Sequence, residues 1–191
     1  MKNLLKAAKI LSYLSHPLFT SLFLIISFSL TRYSTRQAMI IMAILIFGVV
    51  LPMNVVTYLG LRKGRFTDFD VSSRSQRSPL YIMVIITMLI ASGAIYLLGL
   101  DRVLFSNCLI TSLLLLTVYL INYRLKVSLH VSLNIFFCFI LYQIHPYSAI
   151  AFALVLPLVA FSRLLLKRHT LAEVAAGVAV GLVFGGLLLM I

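Results

Sequence analysis

Between residues 162 and 173 the chain reads Ser162-Arg163, three leucines, Lys167-Arg168-His169, Thr170-Leu171-Ala172 and Glu173, directly ahead of a final apolar run. Ionisable groups this close to membrane depth are costly and tend to carry function. Arg163 can grip a phosphate through two parallel hydrogen bonds. His169 can act as a nucleophile or proton carrier near neutral pH. Glu173 follows His169 by four residues. If both are helical they share one face, one turn apart, and the carboxylate can fix the imidazole tautomer and balance its charge. Taken alone, the stretch also reads as a basic loop with an acid favoured at a helix N-terminus.

Two further polar stretches hold related chemistry. From Tyr123 to His130 the order is Lys126, Ser128 and His130: a charge, a hydroxyl donor and a group able to protonate a leaving oxygen. A histidine at a membrane interface is the plainer reading of that stretch by itself. From Arg62 to Pro79, Arg74 and Arg77 stand three apart and would converge on one anion if locally helical. Asp68 and Asp70 could bind a cation or pair with those arginines. Combined, the three stretches could bind a phosphate dianion, attack phosphorus and protonate the leaving group with no metal and no other cofactor.

The elements that must position these residues are membrane helices. Of 191 residues 62% are hydrophobic, and the mean hydropathy of +1.12 is too high for a soluble domain without large exposed patches. Seven apolar stretches are candidate spans, at approximately 10–30, 38–61, 80–100, 103–123, 128–144, 147–161 and 171–191. The expected fold is an all-α polytopic bundle of six to seven spans, forming a single domain over 1–191. Continuous apolar runs are unlike the alternation of a membrane β-barrel. The net charge of +12 sits almost entirely between the runs, which argues for topology and an anionic partner rather than nucleic acid. Cys108 and Cys138 lie inside apolar runs and read as core residues.

If all seven stretches span, the N-terminus and loops 62–79, 124–127 and 162–170 share one side and hold thirteen of the sixteen basic residues. The positive-inside rule makes that side cytoplasmic. His16-Pro17 interrupts the first stretch, so that segment could instead be re-entrant, which would reverse the other loops together. Under either topology the three polar loops face the same side. Gly177, Gly181 and Gly185 recur every four residues and predict a helix face that admits a close neighbour. Asn54 and Asn134 are candidates for interhelical hydrogen bonds, and His145-Pro146 for a turn.

The stretch SRLLLKRHTLAEV resembles the third signature of the type 2 phosphatidic acid phosphatase superfamily: Ser-Arg, five residues, His, three residues, Asp. Ser162, Arg163 and His169 match in register, and Glu173 stands for the aspartate. KVSLH resembles the second signature, Pro-Ser-Gly-His, with Ser128 and His130 matched, Val127 for proline and Leu129 for glycine. The first signature, Lys, six residues, Arg-Pro, is met loosely, with Asp70 at the lysine and Ser78 ahead of Pro79. A small bacterial subgroup is more similar still, through His16-Pro17, Arg74/Arg77/Pro79, Lys126/Ser128/His130 and Arg163/His169/Glu173.

The resemblance implies a multi-pass enzyme of the bacterial inner membrane that hydrolyses a lipid phosphate or isoprenoid diphosphate through a phosphohistidine. His169 would be the nucleophile, Glu173 its orienting acid and His130 the proton donor. Arg163, Ser128, Ser162, Arg77, Arg74 and Lys126 would bind the phosphoryl oxygens. Leu129 at the glycine position supports an alternative: a weakly active or inactive protein of the same fold that binds anionic lipid. A magnesium-dependent prenyl- or phosphatidyl-transferase would need more aspartates than Asp68 and Asp70.

Overall fold

The computed structural model describes residues 2–190. Among them the chain is helical, with no strand. Helix α1 covers Lys2–Leu14 and α2 covers Pro17–Arg32. Helix α3 runs Thr35–Arg62, and α4 and α5 are Ser78–Leu97 and Arg102–Ile121. Helices α6, α7 and α8 are Leu129–Tyr142, Pro146–Leu165 and Leu171–Leu188. Five helical stretches are long and apolar enough to cross a membrane: α3, Arg74–Leu97, α5, α7 and α8. The α1–α2 pair, bent by 46° at its break, would make a sixth.

Two of the seven expected segments therefore differ from simple spans. The first breaks where Pro17 lacks an N–H and forces His16 out of helical geometry. The fifth contracts to α6, whose 14 residues reach about 21 Å, short of the ~30 Å hydrocarbon core. Eleven of those residues are buried, so the apolar stretch reflects burial in protein. Pro52 also leaves a mark on α3. It cannot donate to the carbonyl of Gly48, and the helix widens over Ala43–Val50 so that the Leu51 N–H reaches Ile46 O instead.

The chain forms two compact units, Ile25–Asn122 and Met1–Leu24 with Tyr123–Ile191. In the first of these, α4 and α5 form a hairpin and α4 also packs on the wide part of α3. Gly99, at φ 60°, turns the chain between α4 and α5. Asp101 then caps α5 by accepting from the amides of Val103 and Leu104, and pairs with Arg32 at 3.3 Å.

In the other unit α6 lies between α7 and α8, and α1 packs on α7. Val131, Ile135 and Val174 make its core, joined by Phe139, Leu156, Ala160, Leu164 and Val178. The glycine stripe of α8 faces α6 as expected. A Cβ on Gly177 would lie 2.9 Å from Ser128 O, and one on Gly181 would lie 2.8 Å from Ser132 O. One on Gly185 would collide with the Phe139 ring. Glycine is thus what brings the α6 backbone against α8. Asn134 makes the expected cross-segment bond, to Ser15 O at 2.8 Å, whereas Asn54 donates to Val50 O within α3. Cys108 and Cys138 are both free and buried.

Candidate functional site

The turn from α7 to α8 carries His169, and each of its five residues has a backbone task. Helix α7 closes with two nested bonds, Lys167 N to Leu164 O at 2.9 Å and Arg168 N to Arg163 O at 3.0 Å. Lys167 sits between them in the left-handed region at φ 54°. This is a Schellman ending, with lysine where glycine is usual. Helix α8 opens at once with a capping box: Thr170 Oγ1 accepts from Glu173 N, and Glu173 Oε2 accepts from Thr170 N at 3.1 Å.

His169 is held between those two endings. Its N–H points to Arg163 O at 3.4 Å, and its Nδ1 lies 2.9 Å from Glu173 Oε2. The His169 side chain is 1% exposed and that of Glu173 is 16%. The pair does not form on a helix face, since His169 precedes the Thr170 cap. The capping box curls the Glu173 carboxylate back, so one oxygen serves both the Thr170 amide and the imidazole. With a carboxylate at Nδ1 the neutral ring carries its proton there, and Nε2 carries the lone pair.

Arg163 is 1% exposed, and a charge so deep needs hydrogen-bonding partners. Its Nη1–H donates to Ser12 Oγ of α1 at 2.5 Å. Ser162, beside it, spends its hydroxyl proton on Val159 O at 2.7 Å within α7, so that donor is turned into its own helix.

The stretch 124–130 docks onto the same turn. Lys126 Nζ donates to Arg168 O at 2.8 Å, and Ser128 N donates to Glu173 O at 3.3 Å. Ser128 begins α6 with its side chain fully buried and its hydroxyl without a hydrogen-bond partner. His130 is buried on the first turn of α6, its ring edge-to-face with His16 at a centroid distance of 5.0 Å. Of the nine residues singled out by sequence, seven thus belong to one compact unit, with Ser128 bonded to Glu173 and Lys126 to the neighbouring Arg168.

Arg74 and Arg77 belong to the other unit. Arg74 opens a single tight helical turn, Arg74–Gln76, and its carbonyl accepts from Asn122 Nδ2 at 3.5 Å. Arg77 is buried and donates through Nε to Val71 O at 2.8 Å. Val71 itself sits at φ 45°, a costly setting for a β-branched residue. Asp68 accepts from the amide and hydroxyl of Ser72.

Sequence reasoning did not single out Ser12 or Asn134 for the site. A lone serine in an apolar helix carries no local signal, and its partner is 151 residues away. Compared with protein-family models, with curated proteins and with solved structures, the chain matches none.

Proposed function

We propose that this chain is a membrane phosphatase acting on a lipid phosphate or isoprenoid diphosphate by a route resembling the type 2 phosphatidic acid phosphatases. The observation that carries the reading is the bond between buried His169 and part-buried Glu173, directly after the helix end that holds buried Arg163. In the reaction, His169 Nε2 would form a bond to phosphorus while the phosphorus–oxygen bond to the leaving group breaks. His130 would give that oxygen its proton. Glu173 would stabilise the imidazolium character that develops on His169. Water would then cleave the phosphohistidine, releasing inorganic phosphate.

Arg163 and the Ser128 hydroxyl would bind the phosphoryl oxygens, preorganised in a site with little water. The amides at the start of α6 add partial positive charge there. Lys126 bridges the two loops through Arg168 O and adds charge beside them. The apolar helices suit a substrate whose chain lies in the bilayer, in the inner membrane of a bacterium.

Purified protein in detergent with EDTA should release phosphate from at least one of phosphatidic acid, phosphatidylglycerophosphate and undecaprenyl diphosphate. His169→Ala should abolish release. No release from any of them, or equal release by the variant, would sink the reading. A second reading, binding of anionic lipid without turnover, is favoured by Leu129, whose side chain stands where the resembling signature has glycine. Lipid binding without release would select it.

A further inference from the structure

The break between α1 and α2 lies inside the same compact unit as His169, Arg163 and His130. Pro17 cannot continue α1, and the helix restarts with Phe19 N and Thr20 N both on His16 O. Ser15 O would have met the Phe19 amide in an unbroken helix. It receives Asn134 Nδ2 of α6 at 2.8 Å instead. The same Nδ2 donates to His130 O at 2.6 Å, so Asn134 ties the break to the first turn of α6. His16 Nδ1 accepts from Leu18 N at 3.2 Å. That bond fixes the His16 ring as the tautomer protonated on Nε2 and sets its plane, against which His130 packs at 87°. One turn earlier, Ser12 Oγ takes the guanidinium of Arg163.

Two hydrogen bonds and one ring contact within five residues therefore reach two phosphoryl-site residues and the asparagine one turn from one of them. An α1 that served only as packing would fill these positions with apolar side chains, since burying a polar group is costly unless it is hydrogen-bonded. Ser12, Ser15 and His16 are all buried.

We propose that Ser12 and His16 are positioning residues of the phosphoryl site: Ser12 sets the direction of the Arg163 guanidinium, and His16 sets the ring of His130. This rests on the phosphatase reading for its effect on turnover, while its effect on phosphate affinity stands apart. The two residues act on different steps. Ser12 works through an anion-binding group, so its loss weakens phosphate binding. His16 works through the proton donor, so its loss slows turnover and leaves binding alone.

The test compares wild type with Ser12→Ala, Ser12→Thr and His16→Phe in detergent with EDTA, and with Leu14→Ala at an exposed position of α1 as control. Thermal unfolding shows that each variant is folded. Two readouts follow: kcat and KM on phosphatidic acid, and the concentration of inorganic phosphate that gives half-maximal thermal stabilisation. Ser12→Ala should raise KM and the phosphate midpoint about tenfold, the scale of one hydrogen bond to a charged group. Ser12→Thr, which keeps the hydroxyl, should restore most of both. His16→Phe keeps an aromatic ring but loses the Nδ1 acceptor. It should lower kcat about tenfold with the phosphate midpoint unchanged, as expected for a misplacement of a fraction of an ångström.

If wild type turns over and Ser12→Ala and His16→Phe match it in both constants, the positioning inference falls while the phosphatase reading stands. If wild type releases no phosphate yet is stabilised by it, and Ser12→Ala alone shifts that midpoint, the Ser12 inference stands and the phosphatase reading falls. Neither turnover nor phosphate stabilisation in wild type overturns both.

Discussion

Replacing Gly177 with alanine would put a Cβ 2.9 Å from the Ser128 carbonyl oxygen and 3.4 Å from the Val131 Cβ. The first distance is about half an ångström inside ordinary contact, and the atom opposite is backbone, which cannot rotate away. Helices α6 and α8 would have to separate at their N-terminal ends. Overpacking of this kind costs roughly 1–3 kcal/mol, and the better helix propensity of alanine returns about 1 kcal/mol. A net loss of about 1 kcal/mol follows. Gly186 lies about two and a half turns on in the same helix, with nothing near its Cβ position. Gly186→Ala should gain up to about 1 kcal/mol, so the two variants should unfold several degrees apart in detergent. The same displacement carries Ser128 and His130 away from the His169–Glu173 turn. A 1 Å misplacement can cost ~100-fold in rate, so half of that predicts about a tenfold drop in phosphate release for Gly177→Ala alone. Should Gly177→Ala match Gly186→Ala in both melting midpoint and turnover, the account of how α8 holds α6 is wrong.

Lys167 spends conformational energy at φ 54° to complete the α7 ending. Lys167→Gly should raise stability by roughly 0.5 kcal/mol, after the extra freedom of glycine in the unfolded chain is discounted. Lys167→Val should lower it by about 1 kcal/mol, and melting of the two in detergent checks the order. Burial works against the Asp101 carboxylate, yet the amides of Leu104 and Val103 and the Arg32 guanidinium outweigh it and hold its pKa below the ordinary 3.8. A carboxylate depressed on folding stabilises above its unfolded pKa, and that contribution is lost as pH falls through the folded value. Asp101→Ala should therefore cost about 1 kcal/mol at neutral pH. The gap from wild type should close only below about pH 3.8 in melts run as a function of pH, and a gap that widens on acidification would contradict the assignment.

What could be read from the chain beforehand divides along a physical line. Apolar runs gave the helices, because hydropathy and helix length are local properties. The i, i+4 glycines gave the α8 face that α6 packs on, because a helix period projects onto one side. The link between His169 and Glu173 was legible from spacing, although its geometry was not: periodicity assumes a helix, and the pair is made by a capping box one residue outside it. The stretch 128–144 reads as a span because hydropathy does not distinguish burial in lipid from burial in protein. Ser162 matched a signature, yet its hydroxyl bonds to Val159 O, a choice set by its rotamer rather than its position in the sequence. Ser12 could not be found at all, since its partner is 151 residues away, and Asn134 was legible as an interhelical donor while its partner, 119 residues away, was not.

The polar interior of the Met1–Leu24 and Tyr123–Ile191 unit sharpens the choice between a structural and a chemical role. Arg163, His169, His130, Ser128, Ser132 and Asn134 are all buried. Apolar residues of similar volume would make a core at least as stable, because desolvating an arginine often costs more than its bonds return. Ser128 and Ser132 make the point most directly. A serine in a buried helix ordinarily bonds the carbonyl one turn back, as Ser92 and Ser112 do here. The hydroxyl of Ser132 has no such partner, and that of Ser128, at the cap of α6, has none either, although both are wholly buried. They lie one turn apart on α6, whose backbone at those two residues meets Gly177 and Gly181 of α8. A Schellman ending bearing a strained lysine and a capping box flank His169, a glycine seam brings α6 against α8, and a proline break ends α1. Packing alone requires none of these, and the proposed anion site would give them a use.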